Sequence, residues 1–199
     1  MKQGLFTIIE NVQLTDSVWQ MRLAGDTSAI TAPGQFVNIL LEGKFLRRPI
    51  SVCDCEDDVL TLVYKVVGGG TEQMSRMERG QELDILTGLG NGYDLDDAGD
   101  APLLLGGGVG VPPLYMLAKK LIAAGKKVSV VLGFNTADEI FYEEEFKALG
   151  CDVYVTTVDG TKGIQGFVTN AMENIAYTHF YNYRKYTLDR NGVADAPRG

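Results

Sequence analysis

The stretch Pro102-Leu103-Leu104-Leu105-Gly106-Gly107-Gly108-Val109-Gly110-Val111-Pro112-Pro113 decides how the second half of this chain folds. A short apolar run that stops at a glycine-rich loop and then meets Pro-Pro reads as a buried strand turning into a helix. Proline is tolerated in a first helical turn, where its missing N–H costs no hydrogen bond. That helix is expected to run to Ala124, with Gly125 as its stop. The same rhythm repeats downstream: a strand over 127–134, a helix over 137–149 closed by Gly150, and a strand over 152–158. Strand–helix alternation of this kind implies a parallel sheet with right-handed crossovers.

Upstream of Pro102 the periodicity is different. Residues 6–12 and 18–23 carry partial period-2 alternation with β-branched and aromatic side chains, and 36–41, 50–53 and 59–67 look like further strands. Turn formers such as Ala32-Pro33-Gly34 and Glu56-Asp57-Asp58 punctuate them. A short helix within 70–79 and a strand over 82–86 complete the half. Short strands with frequent turns predict an antiparallel barrel or sandwich. The polar segment 94–100 separates the two rhythms, so the expected organisation is a β domain over 1–97, an α/β domain over 98–181 and an atypical polar tail over 182–199.

Composition narrows the function classes. The chain has 199 residues, 45% hydrophobic and 22% charged, enough for one large domain or two of about 100 residues. A net charge of −8 with no basic stripe argues against nucleic acid as a partner. No apolar run approaches the roughly 20 residues that span a bilayer, and no signal-type segment follows Met1, so a cytoplasmic protein without a membrane is expected. The odd count of three cysteines, Cys53, Cys55 and Cys151, points to reduced thiols. On a strand Cys53 and Cys55 share one face and pack as small hydrophobes; no zinc-like spacing exists, and no metal ligands are assigned.

Three local motifs carry chemistry. The Gly106–Gly110 loop lies where backbone amides at a helix start favour an anion such as a pyrophosphate, although it lacks the G-x-G-x-x-G spacing. A tight strand-to-helix turn that needs no ligand is the competing explanation. Arg48-Pro49-Ile50-Ser51 offers a guanidinium that can grip a phosphate bidentately, with a hydroxyl nearby; alone, it is only a basic residue at a strand mouth. Val67-Gly68-Gly69-Gly70-Thr71 is a flexible loop ahead of a helical stretch.

Together and in this order the motifs resemble the ferredoxin–NADP reductase superfamily, whose barrel carries an Arg-x-(Tyr/Ile)-Ser strand motif, then a Gly-x-Gly-Thr loop, then a Gly-rich turn. Within it the chain is most similar to the electron-transfer subunits of NAD-linked, two-subunit (class 1B) dihydroorotate dehydrogenases. Arg47-Arg48-Pro49-Ile50-Ser51, Tyr64-Lys65-Val66-Val67, Gly68-Gly69-Gly70-Thr71, Gly106 through Tyr115, Gly133-Phe134-Asn135, Ile140 through Phe146, Thr157-Val158-Asp159-Gly160 and Gly166-Phe167-Val168-Thr169 carry the match, which covers roughly residues 1–181. The resemblance implies an FAD-binding antiparallel barrel followed by a nicotinamide-binding α/β domain. It implies that Arg48 meets the FAD diphosphate, that Pro49, Ile50 and Ser51 line the flavin ring, and that Val63, Tyr64 and Lys65 border the flavin and ribityl chain. Gly70 and Thr71 would contact the phosphates, while Gly107, Gly108 and Gly110 face NAD. It further implies an FMN-containing dihydroorotate dehydrogenase partner subunit in a hetero-oligomer of pyrimidine biosynthesis, with NAD as electron acceptor. No catalytic side chain is assigned, because hydride transfer between flavin and nicotinamide needs alignment more than acid–base groups. His179, the only histidine, is expected to be a packing residue.

The match breaks at the C-terminal end. The family continues about 60 residues through a Cys-Gly-Pro-type turn and a four-cysteine [2Fe–2S] module, whereas no cysteine follows Cys151 here. A chain without the cluster and with an incomplete nicotinamide domain is therefore expected. Two alternatives stand beside the leading one: a ferredoxin-linked NAD(P) oxidoreductase or sulfide dehydrogenase subunit, and a non-catalytic regulatory or assembly module. NAD and NADP are not distinguished by the residues after the second α/β strand.

Overall fold

The computed structural model describes residues 1–172 and 175–182; the tail expected over 182–199 lies outside them except for Asn182. The chain divides into two compact units, Met1–Gly92 and a second that begins at Tyr93.

The first unit is a closed six-stranded antiparallel barrel. Its strands are β1 (Lys2–Gln13), β2 (Val18–Ala24), β3 (Phe36–Leu40), β4 (Arg48–Glu56), β5 (Val59–Lys65) and β6 (Glu82–Leu89), ordered β1-β2-β5-β4-β3-β6. One helix, α1 (Gly69–Ser75), lies between β5 and β6. Alternate residues point inward, and Ile8, Met21, Leu23, Val37, Ile39, Leu60, Leu62 and Ile85 are fully buried. Closing six strands on themselves needs local bends. They come as register shifts at Ile8/Glu10 in β1, Phe36/Asn38 in β3 and Val52/Asp54 in β4. The last shift makes Cys53 the extra residue of a bulge. Strict alternation therefore does not carry from Cys53, which is fully buried, to Cys55, which is half-buried. Gly25 meets the barrel core so closely that a Cβ there would lie 2.5 Å from the Phe6 ring.

The second unit holds a five-stranded parallel sheet in the order β10-β9-β8-β7-β11. Its strands are β7 (Leu103–Gly107), β8 (Ser129–Phe134), β9 (Asp152–Thr157), β10 (Ile164–Gln165) and β11 (Phe180–Asn182). Every residue of β8 is buried, as expected of a central parallel strand covered on both faces. Helix α2 (Pro113–Ala123) buries Leu114, Leu117, Ala118 and Leu121. Helix α4 (Val168–Met172) contributes Ala171 to an apolar cluster with Leu103, Leu105, Val131, Ile175 and Phe180. Tyr93, outside the strands, packs against β11: its hydroxyl donates to Asn182 O (3.2 Å), and its ring meets that of Tyr181 edge-on.

The helix expected over 137–149 begins later, as α3 (Glu143–Ala148). Ala137–Glu139 forms one 3₁₀ turn, Ile140 is extended and Tyr142 is left-handed (φ 67°). Aromatic packing accounts for the break. Phe141 stacks edge-on against Phe134, and Tyr142 and Phe146 both meet Tyr115, with ring centroids 5.2–5.4 Å apart. Such contacts hold the segment out of helical register. Among the described residues no helix is long and apolar enough to cross a membrane.

Candidate functional site

In the barrel the two adjacent arginines do different things. Arg47 is a clip: its Nη1 donates to Asp84 Oδ1 (2.9 Å), Asp84 O (3.2 Å) and Asn38 O (3.4 Å), tying β3 to β6. Asp84 Oδ2 in turn accepts from Gln3 Nε2 of β1 at 2.7 Å. The hydrogen bond from Arg47 holds the Asp84 carboxyl below its ordinary value, with Gln3 adding to the effect. Arg48 opens β4, opposite Ile39, and has no such internal use. Its Nη1 donates to Leu46 O (2.7 Å), it forms no ion pair among the described residues, and its side chain lies across Gly70. A Cβ at Gly70 would stand 2.3 Å from Arg48 Nε and 3.1 Å from Cδ and Cζ. The absence of a side chain at Gly70 thus makes room for the guanidinium. Pro49 is exposed opposite Asn38, while Ser51 is half-buried opposite Phe36.

The Gly68–Thr71 turn is closed from within. Thr71 is 9% exposed; its hydroxyl donates to Gly68 O (3.1 Å) and accepts from Val67 N (3.0 Å) and Gly68 N (3.4 Å). In this arrangement the Thr71 hydroxyl shapes the turn. The amides of Gly69 and Gly70, in the first turn of α1, have no carbonyl four residues back to bond.

Val63 and Tyr64 are both buried and Lys65 is half-buried, so of these three residues only Lys65 keeps its side chain accessible. The Tyr64 phenol, 2% exposed, donates to Asn11 Oδ1 (3.1 Å), and burial pushes its pKa above the usual tyrosine value. Asn11 Nδ2 donates to Met74 O and Met77 O at 2.9 Å each. Asn11 therefore fastens the C-terminal end of α1, and with it Gly70, to β1 and β5. Sequence reading missed this residue, although an Asn inside a β-rich run is itself a signal because Asn is depleted from strands. It also missed Lys44, whose Nζ lies 3.4 Å from where a Cβ on Gly69 would be.

In the second unit, Gly106 and Gly107 end β7, and Gly108–Gly110 forms a 3₁₀ turn ahead of α2. Gly106 is needed for close packing: a Cβ would lie 2.9 Å from Val111 Cα and from Leu114 Cδ1, and 3.1 Å from Gly110 O. Gly108 has a positive φ of 50°. Gly110 is buried, whereas Gly107 is exposed and nothing would approach its Cβ closer than 3.8 Å. A Cβ on Gly108 would meet nothing within 4 Å, so the loop leaves an open backbone surface at Gly107–Gly108. With β8 on one side of β7 and β11 on the other, this loop sits where strand order reverses, at the carboxyl ends of the sheet. That is the position at which open α/β sheets take ligands. His179 is half-buried, and its carbonyl accepts from Leu103 N (2.8 Å).

The residues present do not fit a [2Fe–2S] cluster. Cys53 and Cys55 lie on β4 in the first unit and Cys151 precedes β9 in the second. Cys53 and Cys151 are buried. Among the described residues no three His, Cys, Asp or Glu side chains gather at ligating distance.

Comparison with known proteins agrees with this layout. The family model described as "Oxidoreductase NAD-binding domain" matches residues 104–182. A Fusobacterium nucleatum protein named "Dihydroorotate dehydrogenase B (NAD(+)), electron transfer subunit" is 41% identical over 188 residues, covering 90% of this chain and 72% of the relative. A Bacillus pumilus protein of the same name is 42% identical over 181 residues, covering 87% and 70%. Among solved structures, an NADH-dependent reduced ferredoxin–NADP oxidoreductase superposes with a TM-score of 0.79 at 33% identity. The alignment covers 94% of this chain and 66% of that one. A ferredoxin NADP+ reductase from Neisseria gonorrhoeae with bound FAD and NADP superposes with a TM-score of 0.75 at 18% identity, covering 90% and 84%, which speaks to the fold.

Proposed function

We propose a function from one premise: this chain belongs to the family of dihydroorotate dehydrogenase B electron transfer subunits, within the ferredoxin–NADP reductase superfamily. The chain holds FAD in its barrel unit and meets NAD with its second unit. It passes electrons from dihydroorotate, oxidised in an FMN-containing partner subunit, to NAD in pyrimidine biosynthesis in the cytoplasm. The observation that carries this reading is the Arg48 side chain laid across Gly70, a cationic cradle on the barrel with no carboxylate bound to it.

Bound FAD supplies a carrier that exchanges a hydride with nicotinamide and single electrons with other redox centres. The chain's own residues bind and orient. Arg48 grips the diphosphate with its fork of N–H donors. Pro49, Ile50 and Ser51 present one strand edge to the flavin ring, and Lys65 and the β5 backbone at Val63 and Tyr64 border it. Gly70 makes the close approach possible, and Thr71 holds the turn in shape. Gly107 and Gly108 offer open backbone to a nicotinamide dinucleotide, with Gly110 buried behind them. Because the ligands for a [2Fe–2S] cluster are not present among these residues, no step is assigned to one.

NADH-dependent reduction of an artificial dye by the purified chain tests this reading: the rate should follow bound FAD and vanish on flavin removal. A flavin-loaded chain that cannot oxidise NADH contradicts it. The 33% identity to the ferredoxin–NADP oxidoreductase favours a second reading, a ferredoxin-linked NAD(P) oxidoreductase subunit. Copurification from the native host separates the two, through recovery of a dihydroorotate-oxidising or a ferredoxin-linked partner.

A further inference from the structure

We propose that Lys44 is a second cation of the flavin diphosphate site, a residue that makes FAD retention depend on phosphate charge. This role rests on the FAD reading above and extends it to a side chain outside the Arg48 strand.

Three features place Lys44. Its backbone N–H donates to Leu41 O (3.1 Å), closing a turn in which Gly43 is left-handed (φ 70°). That turn is fastened to α1, because Gln73 Nε2 donates to Glu42 O at 3.2 Å. The Nζ group then comes within 3.4 Å of the Cβ position of Gly69, while Arg48 Nε occupies the Cβ position of Gly70. A cationic side chain from the β3–β4 loop and another from the start of β4 thus reach over two successive glycines.

Nothing described neutralises them. Neither Lys44 nor Arg48 forms an ion pair among the described residues, and Glu72, the nearest acid in the sequence of α1, is engaged by Arg76. Two cations brought together without a carboxylate repel each other, and an anion with charge spread over two phosphates relieves that repulsion. The missing side chain at Gly70 lets Arg48 lie over the turn, and Lys44 reaches the neighbouring Gly69. Arg48 provides the directional fork, and Lys44 provides a compact point charge that tolerates small changes in phosphate position.

The test uses the full chain stripped of flavin. FAD and riboflavin, which share the ring but not the phosphates, are titrated against wild type, Lys44→Gln and Lys44→Arg by flavin fluorescence quenching at several salt concentrations. Circular dichroism confirms folding. The expected result is FAD binding about tenfold weaker in Lys44→Gln, with a shallower salt dependence, near-normal FAD binding in Lys44→Arg, and riboflavin binding unchanged in all three. Unchanged FAD binding in Lys44→Gln, or equal weakening of FAD and riboflavin, overturns the role of Lys44 while leaving the FAD reading intact. A wild type that does not bind FAD at all overturns both.

Discussion

Arg48 Nε lies 2.3 Å from the point a Cβ on Gly70 would occupy, so these two residues exclude any side chain at position 70 while the guanidinium keeps its place. The relationship joins the mouth of β4 to the start of α1 across 22 residues of sequence, and it brings a phosphate-binding cation onto a glycine turn.

Gly70→Ala separates function from stability. Alanine suits a helix better than glycine by about 1 kcal/mol, so the melting temperature should hold or rise slightly. The added methyl displaces Arg48, and FAD should bind about tenfold more weakly. Thermal denaturation beside FAD titration checks this; unchanged affinity would mean that Arg48 does not need its position over Gly70.

Asn11 holds α1 through two carbonyls and accepts from the Tyr64 hydroxyl. Asn11→Ala should cost about 1–3 kcal/mol by leaving those groups unpaired, and Tyr64→Phe about 1 kcal/mol. The double variant should cost less than the sum, because both remove the same bond. Urea denaturation of the four proteins measures the coupling; strict additivity would separate Tyr64 from the α1 anchor.

Asp84 gives the barrel an acid-sensitive contact. Arg47 lowers its folded pKa, so the pair stabilises the native state above the unfolded carboxylate pKa, and that contribution fades as pH falls through the folded value. The side chains of Arg47 and Asp84 are 22% and 28% exposed, which limits the effect at neutral pH to about 1 kcal/mol. Urea midpoints of wild type and Asp84→Asn should differ near pH 7 and converge as acid protonates Asp84. A difference that does not change with pH contradicts the ionic origin.

Much of the architecture is legible in the primary structure because it rests on local signals. The Gly-rich loop ahead of Pro112-Pro113, the glycine stop at Gly125 and the β-rich first half each announce their elements. The β-barrel followed by a parallel sheet is found as expected. Features that depend on distant partners are not legible. The late start of α3 follows from Phe141 and Tyr142 packing on Phe134 and Tyr115, which no helical periodicity reveals. Cys53 is placed by a bulge whose need arises only when the barrel closes. The separate duties of Arg47 and Arg48 depend on Asp84 and Gly70, which lie far along the chain. Lys44 and Asn11 are part of the candidate site only because α1 folds back over them.

Gly106 offers a contrasting substitution in the second unit. Gly106→Ala forces a methyl against Val111 Cα and Gly110 O, both main-chain atoms that cannot swing aside. The expected cost is about 1–3 kcal/mol of stability, with weaker binding of nicotinamide dinucleotide and FAD affinity retained. Equilibrium unfolding and binding titrations report the two effects; a variant as stable as wild type would mean that the loop relaxes freely.

The decisive measurement is FAD titration of the flavin-free chain beside Arg48→Glu, followed by visible absorbance and fluorescence. Wild type should take up one FAD and turn yellow, and Arg48→Glu should bind about 100-fold more weakly because its carboxylate repels the diphosphate. A wild type that stays colourless after reconstitution, or an Arg48→Glu variant that binds FAD as tightly as wild type, contradicts the barrel site.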